Sequence, residues 1–120
     1  MTSYLSLEDL LTLADDLAVG PVRDIGLLDA AAYRPQVILY GMEAYPEIDT
    51  KAAVLLESIV RNHALVDGNK RLGWLATLVF FGLNGVTLDA PDNDVYELVM
   101  SVARSEPTVE KIAAALRSWH

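Results

Sequence analysis

The chain has 120 residues, 52% of them hydrophobic, and a formal net charge of −8 at pH 7. That length suits one domain over residues 1–120 with a sizeable core and leaves no room for a second. Cysteine is absent, which excludes disulfides and thiolate catalysis and is compatible with a reducing cytoplasm; with two His, one of them terminal, a zinc site is not expected.

The acidic balance argues against sequence-independent binding to nucleic acid, whose phosphates attract Lys and Arg. Thr2-Ser3-Tyr4 is followed by acidic residues and lacks the basic start of a signal peptide, so a cytoplasmic location is expected. Ser6-Leu7-Glu8-Asp9 reads as a helix start with Ser6 as N-cap. Leu7, Leu10, Leu11, Ala14 and Leu17 then form its apolar stripe to about Val19, where Gly20-Pro21 stops it. A short helix follows through Tyr33, and Pro35 should push Arg34 out of helical geometry. Arg23 and Asp24 are read as a local ion pair or helix cap.

Val37 to Ile48 has no helical period and is predicted as an extended segment, a small hairpin or a plain surface loop. Asp49 is the expected N-cap of a helix from Thr50 to about Asn62, with Ala53, Leu56 and Val60 inward beside Ala52, Leu55 and Ile59. From Leu72, a stripe of Leu75, Ala76, Val79 and Leu83 marks the next helix, with Trp74, Phe80 and Phe81 assigned to the core. It falls short of the ~20 residues that span a bilayer. Asn84-Gly85 ends it. Pro91-Asp92 opens another helix, with Val95, Leu98, Val99 and Val102 inward, and Glu106-Pro107-Thr108 separates that from a last one carrying Val109, Ile112, Ala113 and Leu116 to near Trp119. There is no repeat, low-complexity tract or linker. The fold expected is all-α, about six helices around the hydrophobic helix that follows residues 61–71.

That stretch, Arg61-Asn62-His63-Ala64-Leu65-Val66-Asp67-Gly68-Asn69-Lys70-Arg71, holds the candidate chemistry. Asp67-Gly68 is a turn signal and Asn69 a good N-cap, so a helix should begin near Asn69 or Lys70. A helix start offers unpaired N–H groups to an anion, and Gly68 would let one approach without a Cβ in the way. Lys70 and Arg71 could bond phosphate oxygens, Asp67 could hold Mg²⁺, and His63 could take a proton from a hydroxyl. From spacing alone a second reading stays open, a plain interhelical turn followed by a solvated Lys-Arg pair.

His63-x-x-x-Asp67-Gly68-Asn69-Lys70-Arg71 resembles the signature of the Fic/Doc superfamily, His-x-Phe-x-Asp/Glu-Gly-Asn-Gly/Lys-Arg. Two further blocks, Tyr4 to Leu10 and Arg23-Asp24-x-Gly26-Leu27-Leu28 with Arg34-Pro35-Gln36, are similar to the Doc branch, the toxin half of Phd/Doc-type toxin–antitoxin pairs. Lys70 stands where Fic-type motifs have glycine and Trp74 where they have a second arginine. Leu65 replaces the usual phenylalanine, Ala64 a frequent proline, and Ala14 a frequent histidine.

The resemblance implies a kinase that binds ATP and Mg²⁺ and transfers the γ-phosphate to a hydroxyl of elongation factor Tu, stopping translation. It implies His63 as general base, Asp67 as Mg²⁺ ligand, and Gly68, Asn69, Lys70 and Arg71 as the phosphate-binding set. The stretch Val37 to Ile48 then matches, in chain order, a flap that holds the target by strand addition. No Glu is followed by Gly or Asn, so the self-inhibiting helix of some Fic-type enzymes has no counterpart, and a Phd-like antitoxin is the implied partner. The alternatives are a Fic-type nucleotidyl (AMP) transferase and a catalytically weakened binding module of the same fold.

Overall fold

A computed structural model describes all of residues 1–120. Six α-helices, α1 (Leu7–Leu17), α2 (Ile25–Tyr33), α3 (Ile48–Asn62), α4 (Asn69–Leu83), α5 (Asp92–Ala103) and α6 (Val109–Arg117), make the expected all-α bundle, but its centre is α3, which packs against α2, α4, α5 and α6, and not the helix that follows the motif loop. The only sheet is a hairpin of β1 (Ile38–Leu39) and β2 (Met42–Glu43), antiparallel, with Ile38 opposite Glu43. No helix is long and apolar enough to cross a membrane.

The most extensive contact in the molecule is between α3 and α4, on either side of the motif loop. Every residue from Lys51 to Leu56 is buried, so α3 meets neighbours all round, and α4 packs along it. Gly73 allows that approach, because a Cβ there would lie 2.7 Å from Val60 Cγ2. The buried face of α4 is Leu72, Gly73, Ala76, Thr77, Phe80 and Phe81. Phe80 and Phe81 are core, as the sequence predicts, and they turn the stripe so that Leu83 is left exposed and Trp74 half-buried at the surface.

Local signals behave unevenly. Ser6 caps α1 in a complete capping box with Asp9, and Asp24 caps α2 by accepting from the Leu27 amide. Helix α1 stops at Ala18, which takes left-handed angles itself before Gly20-Pro21 is reached. Pro35 does not expel Arg34, which keeps helical angles (φ −53°, ψ −41°) as the chain runs into a 3₁₀ turn over Arg34–Gln36. Asp49 is not the N-cap of α3. Glu47 occupies that position without a side-chain capping bond, and Asp49 is buried, paired with Arg117 at 3.3 Å and His120 at 2.6 Å.

Glu57 joins three parts of the bundle. Its two carboxylate oxygens take Arg34 and Arg61, each at 2.6 Å, and Arg61 also donates to the carbonyls of Val102 and Pro107. Arg61 is thereby an anchor to α5 and the turn before α6, not a free cation. Removing Glu57 would strand two guanidiniums, at a cost of ~3–5 kcal/mol were they fully buried. The arginine side chains are 32% and 23% exposed, so Glu57→Ala should destabilise by roughly 2–3 kcal/mol, read as a lower urea midpoint at unchanged m-value. A change below about 0.5 kcal/mol, the level of an ordinary surface substitution, would mean the pairs are worth no more than solvated ones.

Candidate functional site

The site is the loop between α3 and α4, and its shape follows from how each end is terminated. His63 is the C-cap of α3 in the left-handed region (φ 52°, ψ 45°), which turns the chain sharply and leaves its ring exposed and without a hydrogen-bond partner. Two residues later Leu65, 1% exposed, plugs into the core, so leucine serves as the apolar anchor where phenylalanine is usual. Val66 and Asp67 return to the surface.

Residues 20–24 strap this loop from outside. The Arg23 and Asp24 amides both donate to the Ala64 carbonyl, at 2.7 and 3.0 Å. The Val66 amide donates to Pro21, and the Gly20 amide to Asp67, at 2.9 and 3.1 Å. Val22 and Leu65 form an isolated antiparallel bridge, and the Arg23 guanidinium donates to the His63 carbonyl. Arg23 is therefore neither a cap nor half of a local ion pair; Asp24 is a cap, as read. The partners lie forty residues apart, and no local pattern in the sequence signals them.

Two motif residues have structural duties that differ from expectation. Gly68 is the N-cap of α4 at φ 92°, and a Cβ on it would fall 2.4 Å from Val19 Cβ. The space that glycine keeps clear belongs to Val19 rather than to an approaching anion. Asn69 is the first residue of α4 and not its cap; its amide grips the Leu65 peptide, accepting from the N–H and donating to the carbonyl, both at 3.0 Å. That double bond to the loop backbone fixes Leu65 against the start of α4.

With Asn69 so engaged, several polar groups at this helix start are left without a partner. The backbone N–H groups of Asn69, Lys70 and Arg71 have no acceptor, and Gly68 N–H is taken by Asp67 Oδ1 at 2.9 Å. Arg71 is the only arginine without a hydrogen-bond or ion-pair partner, and Lys70 beside it is equally free. Two unpaired cations on the first turn of a helix, in a chain of net charge −8, are the groups that could hold an anion here. Asp67 keeps its second oxygen free and is exposed. No group of three or more His, Asp or Glu could hold a metal by itself. A lone carboxylate suits Mg²⁺ brought in by phosphates, which needs only one or two from the protein.

Next to Lys70 and Arg71 lies a cavity of about 470 Å³, lined otherwise by Leu17, Trp74, Leu75, Leu78, Val95, Tyr96, Val99 and Met100 from α1, α4 and α5. Trp74 is its wall and meets Trp119 edge to face, 6.2 Å between centroids. A neighbouring hollow of about 410 Å³ shares Trp74, Leu78 and Val95 and is closed by Leu88, Ala90 and Asp92 from the segment between α4 and α5. Sequence reasoning placed Trp74 in the core, whereas it is half-buried and walls this groove.

The chain belongs to the Fic/DOC family, which matches residues 4–81. Toxin Doc of Mycolicibacterium smegmatis is 52% identical over 125 residues, an alignment that takes in 99% of this chain and 95% of the relative.

Gly68→Ala sets a Cβ against Val19 in a backbone region that side chains rarely adopt, and such strain costs on the order of 1–3 kcal/mol. Thermal melting should show a clearly lower Tm, and Val19→Gly in the same chain, which removes the clashing Cβ, should recover part of the loss. A variant as stable as the parent would mean that Val19 does not press on the loop.

Proposed function

We propose that this chain is a Doc-like toxin: a protein kinase that moves the γ-phosphate of ATP to a hydroxyl of elongation factor Tu and so halts translation. The observation that carries the reading is the pair Lys70 and Arg71, unpaired beside the free amides of α4, seven and eight residues beyond an exposed His63. The relative named Toxin Doc supports the toxin role.

In this reading the triphosphate lies on the N-terminus of α4. Lys70 and Arg71 bond its oxygens and balance the charge that builds on the leaving ADP. The target hydroxyl approaches His63, which accepts its proton as oxygen bonds the γ-phosphorus and the bond from that phosphorus to the β-phosphate oxygen breaks. Mg²⁺, when bound with ATP, would neutralise phosphate charge, with Asp67 as its protein ligand. Gly68 and Asn69 shape the seat, one by admitting Val19 and the other by gripping Leu65. Lys70 fills space that glycine leaves open in nucleotidyl-transferring relatives, which favours a different nucleotide pose and transfer of the terminal phosphate.

With purified elongation factor Tu and Mg²⁺, label should move from γ-labelled and not from α-labelled ATP. His63→Ala should slow it by ~10²–10⁴, the usual worth of a positioned base, without changing Tm. Movement of the α-label would make the chain a nucleotidyl transferase. A fully active His63→Ala would remove the base from the mechanism.

Neutralisation is proposed to come from a Phd-like antitoxin whose segment folds onto the groove beside the site. What supports this is the apolar wall of Leu17, Trp74, Leu75 and Leu78, ending at Lys70 and Arg71. Ordering such a segment would take ~2–5 kcal/mol of the gross binding energy. Co-expression with the neighbouring open reading frame should relieve growth arrest and give a complex on pull-down, and Leu78→Asp or Tyr96→Asp should weaken it at unchanged kinase activity. A chain that is harmless alone and captures no small partner contradicts the toxin–antitoxin arrangement.

A further inference from the structure

The hairpin stands out from the bundle. Ile38, Leu39, Tyr40 and Met42 are all more than half exposed, and Tyr40-Gly41 turn with both φ angles positive (52° and 77°), the geometry of a tight two-residue connection. Nothing apolar in the two strands is buried, so packing does not orient them. One buried polar contact does. Lys51, in the first turns of α3, is 1% exposed, and its Nζ donates to Glu43 Oε1 on β2 at 2.9 Å and to the Pro35 carbonyl at 3.4 Å. It also lies 5.4 Å from the centre of the Tyr4 ring.

An ammonium taken out of water is costly unless paired. A methionine would fill the same volume without that cost, so volume alone does not account for Lys51. What the charge adds is convergence: the N-terminal segment, the 3₁₀ turn and the hairpin all meet at one nitrogen. Burial works against the charged form, yet Tyr4 and Glu43 outweigh it and hold Lys51 above the ordinary lysine range. The tie falls at the base of β2, where the Ala44 amide also closes on the Val37 carbonyl at 2.9 Å.

We infer that Lys51 is the positioning residue of the hairpin: its ammonium, through Glu43, sets the angle at which the exposed strand edge meets a protein substrate. Lys51 touches no reacting group, so the chemical step itself is untouched by it. The inference rests on the phosphotransfer reading for its consequence and on the structure alone for the tie. An edge set at the wrong angle would lose main-chain bonds to an added strand and weaken substrate capture.

The test compares Lys51→Met, Glu43→Gln and the double variant. Amide hydrogen exchange over residues 38–44 should quicken at least ~10-fold in each, while α3 and α4 keep their protection. The double variant should add little to either single one, because both remove the same bond. With elongation factor Tu as substrate, KM for that protein should rise severalfold, with kcat and the KM for ATP unchanged. If Lys51→Met fails to fold, Glu43→Gln at the half-exposed end of the pair decides. Unchanged hairpin exchange, or a lowered kcat at constant KM, overturns the inference. A parent chain that transfers no label sinks the phosphotransfer reading alone, and the exchange comparison then still decides whether Lys51 holds the hairpin.

Discussion

Four backbone hydrogen bonds between residues 20–24 and the loop 64–67 hold this site together, and most of its features follow from them. A loop between two helices has no ladder to satisfy its amides and carbonyls, and unpaired ones would cost ~1–3 kcal/mol each if buried. Here a second loop supplies the partners. Those bonds fix the loop against the strap, and beside it the first turn of α4 keeps free donors, the N–H groups of Asn69, Lys70 and Arg71. Helix α1 delivers Val19 to the same place, which explains why position 68 takes no side chain. Order at the loop and openness at the helix end are two outcomes of one arrangement.

The handling of charge is as selective. Five of the six arginines are tied to carboxylates or carbonyls, two of them to Glu57, and Lys51 is buried against Glu43. The cations left without partners on α4 are adjacent, Lys70 and Arg71. An acidic chain that ties down its other arginines and leaves these two bare concentrates positive potential at one point. The proposed phosphate seat draws on that contrast, and the apolar groove ending at the same residues puts any partner bound there within reach of it.

Helix existence was legible in the sequence because the apolar periods are regular over α1, α3, α4, α5 and α6, and local caps at Ser6 and Asp24 act within four residues. Errors arose where tertiary contacts override local preference. Asp49 is drawn from a capping role into the core by Arg117 and His120, both about seventy residues away. Asn69 gives up the cap for the Leu65 peptide. Arg34 stays helical beside Pro35 while bonded to Glu57 and Ser58. At the site, the order His63, Asp67, Lys70, Arg71 was readable as a motif, whereas the contacts of Arg23 and Val19 were not, because each depends on contacts across the fold that no window of sequence contains.

The central claim is that the first turn of α4 is where a nucleotide's phosphates sit. Titrating ATP–Mg²⁺ into ¹⁵N-labelled protein and following backbone amide shifts tests it without any assumption about the target. The account predicts saturable shifts at Gly68, Asn69, Lys70 and Arg71, spreading to His63 and Asp67, and their loss in Lys70→Ala/Arg71→Ala. Saturable shifts centred elsewhere, or none at this helix start, would contradict it.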